Sequence, residues 1–233
     1  MIDEVPLLTI RRRFSRPSAD QVAAFQGLPT GFVADALLAA RGGGKSALDG
    51  RVKPIAESGP FCGVVVPCEA GPADNLAVFG ALDIAQPGDV VIAGTDFFTE
   101  AAIIGDLLLG MLQNKGVVAF VTDGFVRDIV GLRAVGLPCY ASGVTPNSPA
   151  KNGPGTVGLP VQVGGVLVGP GDIAVGDEDG VVVVPHAMIA ATIDKLPAIK
   201  AAEATMDARV KGGLKQPDFW AALSGSGRFR EVD

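Results

Sequence analysis

The stretch Val117-Val118-Ala119-Phe120-Val121-Thr122-Asp123-Gly124-Phe125-Val126-Arg127-Asp128 decides how this chain folds. Its first five residues are apolar without a break, as expected of a strand buried on both faces, and such strands belong to covered parallel sheets. Asp123, Arg127 and Asp128 then arrive together at the strand's end, where loops usually carry working groups. Upstream, residues 100–114 place Ala101, Ile104, Leu108 and Leu112 at helical spacing, and Lys115-Gly116 supplies a stop. Downstream, Ile129 to Val135 reads as another helix, ended by Gly136. Helices flanking a buried strand predict an α/β fold.

The rest of the chain extends that pattern. Ser18 caps a short helix to Phe25, and Pro29-Thr30 opens a second, stopped by Gly42-Gly43-Gly44. Strands are predicted at Val52–Ile55, Phe61–Cys68, Val90–Gly94 and Pro138–Ala141, with a helix from Asp74-Asn75 to Ile84. Residues 144–158 read as a long loop. Short strands follow at 161–163, 166–168 and 173–175, turning at Gly164-Gly165 and Pro170-Gly171. Asp177–Gly180 reads as an acidic turn before Val181–Val184. A last helix, about 187–211, is expected to be interrupted near Pro197 and followed by an extended tail. The expected organisation is one domain over 1–233, with a peripheral N-terminal segment (about 1–17) and a C-terminal helix plus tail (about 187–233).

Arg127 and Asp128 carry the chemistry. A guanidinium presents a planar fork that suits a carboxylate, and an aspartate offers hard oxygen ligands for Mg²⁺ or Mn²⁺. As adjacent residues they are expected to point different ways, fork on the carboxylate of a 2-oxo acid and metal on its carboxylate and keto oxygens. The competing account is structural: Asp128 caps the helix that starts near Ile129, and Arg127 makes a surface ion pair.

Composition removes several other classes. With 48% hydrophobic residues in 233, the chain can build a sizeable core. A net charge of −6, with Arg11-Arg12-Arg13 as the one basic cluster, argues against nucleic acid as a ligand. One histidine, His186, and three cysteines leave no zinc spacing; Cys62 and Cys139, set among apolar residues, read as buried thiols in a reducing, cytoplasmic setting. There is no signal peptide and no run of 18 apolar residues for a membrane. Gly42-Gly43-Gly44-Lys45-Ser46 lacks the first glycine of a phosphate loop and follows a helix, so it reads as a flexible loop beside the site.

From about residue 30 to 190 the chain resembles the RraA-like family, which holds class II 4-hydroxy-4-methyl-2-oxoglutarate/4-carboxy-4-hydroxy-2-oxoadipate aldolases and the regulator of ribonuclease E activity. The resemblance runs through Ala73-Asp74-Asn75-Leu76-Ala77, Gly88-Asp89-Val90-Val91, Gly105-Asp106-Leu107-Leu108 and Asp123-Gly124-Phe125-Val126-Arg127-Asp128. It continues through Gly143-Val144-Thr145-Pro146, Gly164-Gly165-Val166, Pro170-Gly171-Asp172 and Asp177-Glu178-Asp179-Gly180-Val181. It implies a β/β/α sandwich akin to the phosphohistidine swivelling domain, assembled as a homotrimer or a hexamer of two trimers.

It also implies a site. Asp128 would bind the divalent cation, Mg²⁺ or Mn²⁺. Arg127 would contact the substrate, and Asp106 would position metal-bound water. Gly105-Asp106 would present the amides of Leu107 and Leu108 to the substrate carboxylate. Glu203 is matched, by offset alone, to a glutamate reaching the site from a neighbouring subunit. The implied reaction is retro-aldol cleavage of a 4-hydroxy-2-oxo di- or tricarboxylic acid to pyruvate, with oxaloacetate decarboxylation beside it. The alternative is a non-catalytic protein that binds ribonuclease E. A Schiff-base aldolase using Lys115 or Lys151 is a third route, though neither lysine has a strongly apolar sequence setting. The chain departs from the pattern at Ala34 before Asp35-Ala36-Leu37, and at Phe79, where many relatives have histidine.

Overall fold

Apolar residues of the middle strands alternate between two separate cores, and that alternation builds the architecture. A computed structural model describes residues 4–41, 44–56, 59–230 and 232. Its contacts divide into two compact units, Met1–Leu196 and Pro197–Asp233.

In chain order the first unit contains β1 (Leu8–Ile10), α1 (Ala19–Ala23), α2 (Thr30–Arg41), β2 (Lys53–Pro54), β3 (Phe61–Glu69) and α3 (Leu76–Ile84). Next come β4 (Asp89–Gly94), β5 (Ala102–Ile104), α4 (Asp106–Asn114), β6 (Ala119–Thr122), β7 (Phe125–Val126) and α5 (Ile129–Val135). The strands β8 (Cys139–Ala141), β9 (Gly143–Val144), β10 (Gly155–Val157), β11 (Val161–Val163), β12 (Val166–Val168), β13 (Ile173–Asp177) and β14 (Gly180–Val184) follow. Helix α6 (Ile189–Lys211) crosses the division between the units, and α7 (Asp218–Ser224) lies in the second.

Strands β3, β4, β6 and β8 are neighbours in that order, and each adjacent pair is parallel. Parallel neighbours need crossovers, which are right-handed almost without exception, so α3, α4 and α5 stack on one face. The core there joins Val91, Phe120 and Cys139 of the sheet to Val78, Leu109, Leu112 and Leu132 of the helices. On the other face Val90, Ile92, Val121 and Tyr140 meet Val161, Val163, Val166 and Val168 of the β11–β12 hairpin. A hairpin layer, a central sheet and a helical layer make the expected β/β/α sandwich. Burying both faces explains why 117–121 reads as unbroken apolar sequence. Each fully buried valine or leucine contributes about 1.5–3 kcal/mol of transfer free energy, an upper estimate.

Sequence and structure part in four places. Residues 100–114 are not one helix: Ala102–Ile104 is a strand, and α4 starts only at Asp106. The helical spacing of Ala101 and Ile104 was coincidental, because 101–104 is buried throughout. The expected 144–158 loop begins and ends in strands, with β10 bonded to β1 and β3. Pro197 does not interrupt α6, which runs on to Lys211. The tail is not wholly extended, since it forms α7, with Arg209 Nη2 2.6 Å from Asp218 Oδ1. Of the expected Gly42–Gly44 stop, Gly42 and Gly43 lie outside the described residues.

Other expectations survive in detail. Ser18 caps α1 in a reciprocal box with Gln21. The acidic turn is structural, as Asp177 accepts from the backbone and hydroxyl of Thr30 (both 2.8 Å). Among the described residues no helix is long and apolar enough to cross a membrane.

Candidate active site

Three two- or three-residue strands place the site. After β4, β6 and β8 the chain makes β5, β7 and β9, which pair in that order as a small parallel sheet. Gly105-Asp106 therefore leaves the end of β5 beside Arg127-Asp128 leaving the end of β7, with the Arg127 amide donating to Ile104 O at 3.0 Å. Strand ends of a parallel sheet, followed at once by helix N-termini, are a common place for a small-molecule site. The pocket here is about 320 Å³.

The structure brings Gly105, Asp106, Leu107, Leu108, Arg127 and Asp128 to that pocket. Asp128 occupies the N-cap position of α5, yet its side chain makes no capping hydrogen bond. Its backbone is left-handed (φ 61°, ψ 47°), a conformation that costs a non-glycine residue about 1 kcal/mol or more. Asp128 and Arg127 do not point apart as the sequence suggested. Arg127 Nε lies 3.1 Å from Asp128 Oδ2, and Arg127 Nη1 also donates to Ser148 Oγ. The guanidinium keeps further N–H donors for a carboxylate.

Two glycines make room for the carboxylates. A Cβ on Gly105 would fall under 3.0 Å from Asp128 Oδ2, and one on Gly131 would fall under 3.0 Å from Asp106 Oδ2. Gly105→Ala is therefore expected to displace Asp128 while leaving the distant core intact. Any turnover that depends on Asp128 should then fall at least about tenfold, because misplacing a reacting group by an ångström is that costly. Undiminished turnover in Gly105→Ala would show that Asp128 is not held in a working position.

Asp106 is the first residue of α4, and its Oδ1 accepts from the Leu107 amide at 2.7 Å. One of the two amides expected for a substrate carboxylate is thus engaged by Asp106. Glu203 is exposed on the Pro197–Asp233 unit. Asp123, grouped with Arg127 and Asp128 by sequence, is buried and structural; it accepts from Thr95 N (2.8 Å) and Gly164 N (3.1 Å). Lys45 binds Gly164 O at 2.8 Å, so the glycine-rich loop's lysine serves the hairpin rather than this pocket.

Four residues outside the expected set also belong here; the sequence raised Lys151 for a Schiff base and Phe79 as a departure from the family pattern, but gave no sign of Ser148. Asn75, Phe79, Ser148 and Lys151 all line the pocket. Asp74 holds the segment carrying the last two, accepting from Asn152 N and from Gly153 N (3.1 Å), while the Asn75 amide donates to Ala150 O at 3.1 Å. Asn75 Nδ2 donates to Ile103 O at 3.0 Å, which fixes the amide's orientation and leaves Oδ1 buried with no partner. Lys151 Nζ stands 5.9 Å from the Phe79 ring centroid and has no hydrogen bond or ion pair among the described residues. The Asp74-Asn75 pair was visible as a motif, but nothing local told its two jobs apart.

No cysteine or histidine lines this pocket. Burial pushes the thiols of Cys62, Cys68 and Cys139 up to about 12, and His186 is exposed on a 3₁₀ turn.

Residues 30–183 match the RraA-like family, described as Aldolase/RraA. The chain belongs to the RraA-like family. It is 36% identical over 171 residues to a Halalkalibacterium halodurans protein provisionally named 4-hydroxy-4-methyl-2-oxoglutarate aldolase, covering 73% of this chain and 79% of that one. Among solved structures it is similar to Streptomyces coelicolor RraAS2, described as an unusual member of the RNase ES inhibitor RraA family. That match has 27% identity and TM-score 0.73, over 84% of this chain and 99% of that one. The RNA-processing inhibitor RraA from Thermus thermophilus matches at 31% identity and TM-score 0.58, over 65% and 92% of the two chains. As an RraA-like protein it shares a scaffold with relatives named for enzymatic and for inhibitory roles.

Proposed function

We propose that this RraA-like protein is a divalent-metal-dependent lyase. It cleaves a 4-hydroxy-2-oxo di- or tricarboxylic acid to pyruvate and a second oxo acid, and decarboxylates oxaloacetate by the same enolate chemistry. One observation carries this reading: Asp128 sits where a cap belongs but does not cap, and instead shares a pocket with Arg127 and Asp106. The aldolase name of the Halalkalibacterium relative supports it.

The residues fit Mg²⁺ or Mn²⁺. Asp128 offers a half-exposed carboxylate, and no cluster of three or more His, Cys, Asp or Glu occurs among the described residues. An ion of the Mg²⁺ type, which keeps several waters and uses one or two carboxylates, suits such a sparse donor set. When bound, it supplies positive charge to the keto oxygen.

The chain's own groups do the rest. Arg127 grips the C1 carboxylate with its remaining N–H donors. Asp106, directly or through one water, takes the proton of the 4-hydroxyl. The C3–C4 bond then breaks. Its electron pair stays on the pyruvate fragment as an enolate, and C4 becomes the carbonyl of the second oxo acid. Protonation at C3 completes pyruvate. The reading includes a homotrimer or hexamer in which Glu203 serves a neighbouring site.

The solved relatives named as inhibitors of RNA processing give a second reading, a protein-binding regulator. One assay separates the two: pyruvate release from 4-hydroxy-2-oxo acids and from oxaloacetate, with Mg²⁺ and after exhaustive chelation. The expected result is turnover that chelation abolishes and Mg²⁺ restores. No release from any substrate would favour the regulator. Release that survives chelation, with borohydride trapping substrate on Lys151, would replace the metal mechanism with a Schiff base.

A further inference from the structure

The segment that follows β9 is stiff for its length. Thr145-Pro146-Asn147-Ser148-Pro149 places a proline on each side of Asn147-Ser148. Pro146 fixes its own φ, and Pro149 confines the residue before it, Ser148, to extended backbone. The segment is also tied down at successive points. The Thr145 amide donates to Val126 O at 3.0 Å, one residue before Arg127, and the Ala102 amide donates to Asn147 O at 2.9 Å. Asn147 Nδ2 donates to Glu100 O at 2.8 Å, and the Ala150 amide donates to Ala73 O at 2.7 Å. Ser148 lies between these anchors, and its hydroxyl accepts from Arg127 Nη1.

Arg127 is therefore held at two nitrogens. Nε meets Asp128 Oδ2 and Nη1 meets Ser148, while Nη2 has no hydrogen bond or ion pair among the described residues. At its base the side chain lies close to Gly105, where a Cβ would stand 3.2 Å from Arg127 Cγ and Nε.

We infer that Ser148 is a positioning residue: by accepting from Nη1 it fixes the plane in which Arg127 offers Nη2 to a carboxylate, and Asn147 holds Ser148 in register. This rests on the reading of Arg127 as the carboxylate grip and adds what orients it.

A hydroxyl suits that task. It accepts a hydrogen bond without bringing a negative charge, so the guanidinium is turned but not neutralised further. Asp128 already places one carboxylate on Nε, and a second on Nη1 would compete with the ligand's own. Ordering a long, rotamer-rich side chain at the moment of binding costs affinity, and ordering it beforehand removes that cost. The two prolines and the anchors at 145, 147 and 150 give Ser148 the rigidity that such prior ordering needs.

The experiment compares wild type with Ser148→Ala, Ser148→Thr, Asn147→Ala and the double alanine variant. Both positions are exposed, so folding is not at risk and melting temperatures should match wild type. Two quantities are read with Mg²⁺ present: Kd for oxalate by calorimetry, and KM and kcat for oxaloacetate decarboxylation. Ser148→Ala is expected to raise Kd and KM together by about three- to tenfold, the worth of one orienting hydrogen bond. Its kcat should stay within about twofold, because a hold that is equal in ground and transition state shows in KM. Ser148→Thr keeps the hydroxyl and should behave as wild type. Asn147→Ala should raise the same two quantities by less, and should add nothing in the Ser148→Ala background. A merely structural contact would instead reduce the folded fraction, lowering apparent kcat and leaving KM and Kd alone.

Unchanged oxalate binding in Ser148→Ala, a loss confined to kcat, or a threonine variant as weak as the alanine one overturns the assignment. An Asn147→Ala loss that adds in full to that of Ser148→Ala overturns the link between the two residues. If oxaloacetate is not decarboxylated yet oxalate binds and Ser148→Ala weakens it, the lyase reading falls and the positioning role stands. If decarboxylation proceeds with the same KM in Ser148→Ala, the lyase reading stands and Ser148 loses its role.

Discussion

Asp128→Ala is expected to abolish measurable Mg²⁺ binding and to lower kcat/KM for pyruvate release by at least about a hundredfold, since even outer-shell partners of a metal ligand cost 10–100-fold when removed. The fold should survive. A capping aspartate would instead lose about 1 kcal/mol of stability and no activity on truncation. In this structure the cap contact is absent and the residue holds a left-handed backbone, so its truncation removes no helix hydrogen bond. Melting temperature should therefore stay within about 4 °C of wild type. Asp128→Gly sharpens the comparison. Glycine adopts that backbone without strain, so this variant should be at least as stable as the alanine variant and equally inactive. Calorimetric Mg²⁺ titration, thermal melting and turnover on both variants decide the matter. Wild-type rates in a destabilised Asp128→Ala protein would restore the cap and remove the metal site.

The second large effect belongs to Asp106 and differs between two reactions. Cleaving a 4-hydroxy acid requires removal of a hydroxyl proton; losing CO₂ from oxaloacetate does not, because the departing carboxylate supplies the electron pair. Asp106→Asn keeps the side chain's size beside Gly131 but removes its basicity. Cleavage should fall by about 10²–10⁴, the range of general base catalysis, and decarboxylation by markedly less. Equal losses in both reactions would mean that Asp106 only shapes the pocket. The Leu107 amide, now held by Asp106 Oδ1, should be less firmly held by a neutral amide. KM for oxaloacetate is expected to stay level or drop rather than rise.

The sequence announced some of this molecule and concealed the rest for physical reasons. The central strands were legible because burial on both faces leaves no polar residue to interrupt 117–121, and β11–β12 because Gly164-Gly165 turns between two valine pairs. Strand β5 was hidden: Ala101, Ile104, Leu108 and Leu112 share a spacing that fits a helix, although the first two are buried by the sheet. Strand β7 is two residues long and has no pattern of its own; pairing with β5 and β9 makes it a strand. Of the site, the residues next to one another in sequence were found. Ser148 was not, and Asn75, Phe79 and Lys151 were noticed singly without being brought together, because their meeting depends on strand order and on Asp74 tying down a loop 78 residues away. The family pattern identified Asp74-Asn75 as a unit without saying that one residue ties down the 150–153 segment and the other lines the pocket.

Gly105 and Gly131 have a consequence for sorting relatives that share this scaffold. Carboxylates are common on surfaces, so an aspartate at either position of the pair says little about whether a protein is an enzyme. Two missing side chains opposite those aspartates say more, because a Cβ at either position would run into the facing aspartate. A relative that keeps both aspartates but fills either gap would carry the letters of the site without the space to use it. Steric vacancy is then a better diagnostic of chemistry than charge when dividing lyases from binding proteins built on one frame.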